Sequence, residues 1–80
     1  MANDLREAVK RLAAGDWRGA HAIVQEDEES RLSCWAHGIV HLMEGDVANA
    51  RYWYRVAGRV LRENFSVEAE IAALRDTLRE

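Results

Sequence analysis

Eighty residues, of which 49% are hydrophobic and 31% charged, with no proline, fit one small helical domain and exclude a disordered chain. A net charge of -3 gives no general attraction to nucleic acid or to an anionic membrane, so neither is expected as a partner. The single cysteine, Cys34, cannot close an internal disulfide, no apolar run approaches a membrane span, and the opening MANDLREAVKRL is too charged for a signal peptide; a cytoplasmic protein is expected.

In chain order, Asn3 or Asp4 is positioned to cap a first helix carrying Leu5, Ala8, Val9 and Leu12 at helical spacing. Gly15 ends it, and Asp16 caps a second helix whose apolar side is Trp17, Ala20, Ile23 and Val24. The acidic run QEDEES, residues 25–30, opposes a helix C-terminal dipole and predicts a solvated bend before Ser30 or Ser33 caps a third helix. Leu32, Trp35, Ala36, Ile39, Leu42 and Met43 gather on one side of that helix, which stops at Gly45. Asp46 restarts the chain in a fourth helix carrying Val47, Ala50, Tyr54, Ala57 and Leu61. Connections this short force antiparallel neighbours. RENFS breaks the pattern, and Ser66 caps a last helix with Val67, Ile71, Leu74 and Leu78 on one face.

The two hairpins repeat. Shifting the sequence by thirty residues superposes Leu12 on Leu42, Gly15 on Gly45, Asp16 on Asp46 and Ala20 on Ala50, all identical. Gly38, Gly45-Asp46, Ala50, Tyr54 and Ala57 resemble the tetratricopeptide consensus, over roughly residues 4 to 62. That resemblance implies a small residue on one helix letting it approach an alanine on the next. The string EGDVANARYWYRVAG is also similar to one in small uncharacterised bacterial proteins, a likeness that implies no activity. The predicted architecture is all-α, one domain of about five helices: one hairpin over about 4–29, a second over about 30–62, and a closing helix over about 66–79 that covers the open end of the stack.

Three groups of polar residues could carry chemistry. His37 and His41, four apart, share a helix side with Cys34 one turn before and His21 on the preceding hairpin, a spacing that lets two imidazoles reach one zinc. The structural alternative packs His41 half-buried against Trp53 and Tyr54 with His37 more exposed. Arg51, Arg55, Arg59 and Arg62, with Tyr52 at their edge, would form a rail for a small anion, a phosphate or an acidic partner, or else a solvated face. Glu44, Asp46 and Asn49 sit at the second turn, where capping is their obvious work and Glu44 can pair with an arginine. No nucleophile elbow, P-loop or dinucleotide fingerprint occurs, so no enzyme and no cofactor is expected. The leading reading is a protein–protein interaction module that takes a peptide along the groove of the first and third helices, or a second copy of itself. Its anchors would be Tyr52 beside Arg51, Arg55 and Arg59, or Trp35 if the groove is open.

Overall fold

The computed structural model describes residues 2–79, which form an all-α protein of five helices: α1 (Ala2–Ala13), α2 (Trp17–Val24), α3 (Arg31–Glu44), α4 (Val47–Val56) and α5 (Val67–Arg79). The punctuation is the same at both hairpin turns. Gly15 has φ of 84°, Asp16 N–H donates to Arg11 O at 2.8 Å, and Gly15 N–H donates to Leu12 O at 3.0 Å. Gly45 has φ of 93°, with Asp46 N–H donating to His41 O at 2.9 Å and Gly45 N–H to Leu42 O at 3.2 Å. Both are Schellman closures, which need a left-handed residue and so favour glycine. The aspartates then cap the next helices, accepting from Gly19 N at 3.0 Å and from Asn49 N at 3.2 Å.

A third closure of the same kind ends α4. Gly58 has φ of 75°, and Arg59 N–H donates to Tyr54 O at 2.9 Å. The fourth helix therefore stops at Val56, short of the Leu61 and Arg62 expected from periodicity. The first helix differs at its other end: it begins at Ala2, ahead of the expected Asn3 or Asp4 cap, and the Asn3 side chain lies outside the described residues. Ser30, not Ser33, caps α3, accepting from Ser33 N at 3.3 Å. The buried Ser33 hydroxyl instead donates to Val24 O at 3.3 Å, tying the start of α3 to the end of α2. Between those helices Asp27 accepts from the amides of Ser30 and Glu29, and these bonds hold its carboxyl below the ordinary range.

Helix α3 is the axis of the packing. It contacts each of the other four helices, and residues 33–42 are all buried, so its apolar stripe accounts for only part of the burial. Its most extensive contact is with α4. A Cβ added at Gly38 would lie 2.6 Å from Tyr54 Cε1 and 3.3 Å from Ala50 O, so only glycine fits there. The closing helix takes a different place from the one expected. It packs on α1 and α3, and it meets α4 through the hydrogen bond from Tyr54 to Glu70. Ile71 and Leu74 are its buried anchors, so α5 lies over the face of α1 and α3 rather than across the end of the stack.

Replacing Gly38 by alanine is expected to lower stability despite a gain of about 1 kcal/mol in helix propensity. The overpacked methyl costs about 1–3 kcal/mol and displaces the Tyr54 ring. Urea unfolding checks this, with Gly38→Ala compared against an exposed control such as Ala48→Gly.

Candidate functional site

Two polar assemblies stand out, and α3 contributes to both. The first lies under α5. Trp35 is 1% exposed, and its Nε1–H donates to Glu70 Oε1 at 3.1 Å. Tyr54, equally buried, donates its hydroxyl to the same oxygen at 2.6 Å. Burial first, and then the Glu70 hydrogen bond, raise the Tyr54 pKa, so its hydroxyl stays a donor throughout the physiological range. Arg59 completes the arrangement from the chain after α4, with its guanidinium carbon 3.4 Å from the centroid of the Trp35 ring. Two aromatic donors from α3 and α4 thus hold one carboxylate oxygen of a half-buried glutamate on α5. The groove of α1 and α3 is covered by the chain's own last helix, so Trp35, the anchor suited to an open groove, is buried in this conformation.

The arginines do not form one rail. Arg51 donates from Nη1 to Leu61 O at 3.2 Å, and Arg59 follows Gly58, beyond the end of α4, where it covers Trp35. With Arg55, which is exposed on α4, they border a shallow hollow of about 210 Å³ also lined by Tyr54, Val60 and Leu61. Two of the three guanidinium groups are therefore engaged within the chain. Tyr52 is exposed as expected, and Val56 and Val60 are exposed near it in the sequence.

The second assembly lies where α2, α3 and α4 meet. His37 is 3% exposed and stacks on Trp53, with centroids 3.9 Å apart and planes 10° from parallel. The expected order of the two α3 histidines is thereby corrected, since His37 and not His41 takes the tryptophan. Nε2 of His37 stands 3.2 Å from Nε2 of the half-buried His21 on α2. His41 is also buried, and its Nδ1–H donates to Glu44 Oε1 at 2.8 Å, so Glu44 pairs with a histidine rather than an arginine. Cys34 is not part of this group. Its buried thiol is directed to Glu28 O at 3.3 Å, and burial, then Asp27 and Glu28, raise its pKa.

His37 and His41 were visible in the sequence as a pair. His21 joins them only through the packing of α2 on α3. Glu44 stands three residues after His41, a helical neighbour spacing that could have pointed to the pair. The acidic partner of Trp35 and Tyr54 carried no such signal, because Glu70 is thirty-five residues from Trp35.

No protein-family model matches the chain, and comparison with curated proteins and with solved structures gave no match. Among the described residues, no helix is long and apolar enough to cross a membrane.

Burial, then the neighbouring His21 and His41, lower the His37 pKa from 6.5 to about 4. Trp53 faces it from α4 with no charge of its own. Between those values the unfolded chain binds a proton at His37 that the folded chain does not, so stability falls as pH falls from 6.5 and is unaffected by this group above that value. Denaturant titrations in chelator are expected to show that slope between pH 6.5 and about 5, above the range where carboxylates dominate. His37→Gln is expected to flatten it.

Proposed function

We propose that this chain is a non-enzymatic protein–protein interaction module of tetratricopeptide-like kind, whose α1–α3 face receives an amphipathic helix carrying a carboxylate. The observation that supports the reading is that this face already holds such a helix in cis. Ile71 and Leu74 supply the apolar contact, and Glu70 is gripped by Trp35 and Tyr54. Helix-in-groove recognition uses the same elements, apolar residues at helical spacing with one polar contact fixing the register. The partner is a helix of another protein or α5 of a second copy. A tethered α5 competes at an effective concentration of about a millimolar, so an incoming helix succeeds when that anchor is loosened. The setting consistent with a free, buried thiol at Cys34 is the reducing cytoplasm.

A labelled peptide of residues 66–79 tests this against the full chain. Loss of the Glu70 anchor in Glu70→Ala is expected to tighten peptide binding about tenfold over wild type, the equivalent of about 1.4 kcal/mol transferred from the cis to the trans contact. A concentration-dependent dimer of the wild-type chain, dissolved by excess peptide, identifies a second copy as the occupant. Failure of both chains to bind the peptide, with no dimer, contradicts the reading.

A further inference from the structure

His21 comes from the first hairpin, and His37 and His41 from the second, so their meeting point bridges the two. One ring nitrogen of each lies within 4.8 Å of those of the other two, and the ring centroids are 4.9, 5.4 and 5.1 Å apart. Two imidazole nitrogens on one tetrahedral zinc, each about 2.0–2.1 Å from the ion, are separated by about 3.3–3.4 Å. The 3.2 Å between Nε2 of His21 and Nε2 of His37 is close to that separation. We propose that His21, His37 and His41 form a three-histidine site for a divalent transition metal of the zinc class, with the fourth coordination position left to water or an exchangeable ligand.

The surroundings of the three rings agree with a ligand role. Because His41 gives its Nδ1–H to Glu44, its Nε2 is left with the lone pair, which is the carboxylate–histidine arrangement that fixes the tautomer of a metal ligand. The Trp53 indole lies flat on His37 and fixes the plane of that ring. The donor set is all imidazole, which suits zinc, copper, nickel and cobalt and does not suit calcium or magnesium. The only cysteine is directed elsewhere, so among the described residues the cluster supplies three ligands where a closed structural site has four.

One feature limits the affinity. Nδ1 of His37 is buried without a hydrogen-bond partner. With Nε2 on a metal, the remaining ring proton sits on Nδ1 and meets no acceptor, an uncompensated desolvation. The site should therefore bind more weakly than a closed four-ligand centre, and exchange its metal readily.

Titration of the full chain with cobalt(II) at neutral pH tests the proposal. Saturation at one ion per chain is expected, with the intense visible bands of tetrahedral cobalt, which zinc then removes by displacement. His21 is only half-buried, so His21→Gln is expected to keep the helical circular dichroism and lose those bands. The exposed Glu44 acts through His41 as a positioning residue; Glu44→Gln is expected to keep the tetrahedral bands while weakening binding about 10–100-fold. The proposal is overturned by the pale spectrum of octahedral cobalt, by the absence of saturable binding, or by wild-type affinity in either variant.

Discussion

The enclosure of α3 is the constraint from which the rest of the molecule follows. A helix buried on every side needs four neighbours, and an eighty-residue chain can supply them only by folding all its other helices around it. Gly38 makes the tightest of these contacts possible by admitting the Tyr54 ring against the α3 backbone. That contact brings the Tyr54 hydroxyl beside Trp35 Nε1, and the two donors meet at Glu70. Where α2 joins α3 and α4, its approach brings His21 to His37. The two polar assemblies are thus consequences of one packing arrangement, reached from two faces of one helix.

A small domain buries a smaller share of its surface than a large one, so each large side chain in it matters more. Trp35 and Tyr54 are the largest fully buried side chains, and both carry a polar atom that must be satisfied. A carboxylate shared between them satisfies both donors with one residue from α5. The result couples the seating of the last helix to the polar satisfaction of the core. In cis, α5 is thereby fixed in register by the carboxylate it brings to that point.

Local punctuation was the most legible part of the sequence, because a left-handed glycine followed by a capping aspartate is specified within two residues. Gly15-Asp16, Gly45-Asp46, Ser30 and Ser66 act as their residue types indicate. Gly58 was missed because Val60 and Leu61 continue the apolar spacing beyond it, and a single glycine inside such a pattern reads equally as a small packing residue. The place of α5 was not legible at all. Val67, Ile71, Leu74 and Leu78 define which side of that helix is apolar, but they do not say which exposed face of the bundle receives it. The same limit explains the arginines: their spacing was read on a helix that ends before Arg59. The His37–His41 pair was legible from its spacing, whereas its burial, its stacking on Trp53 and the arrival of His21 are properties of the tertiary contacts.

The proposal that α5 occupies a binding face in cis requires that helix to leave without the rest of the fold unravelling. Native-state hydrogen exchange measures this directly, residue by residue. The amides of α5 are expected to exchange through a partial opening of lower free energy than those of α3 and α4, and to do so more readily in Glu70→Ala. Exchange of α5 only through the same global unfolding that exposes α3 would contradict it, and would make the last helix an inseparable part of the core.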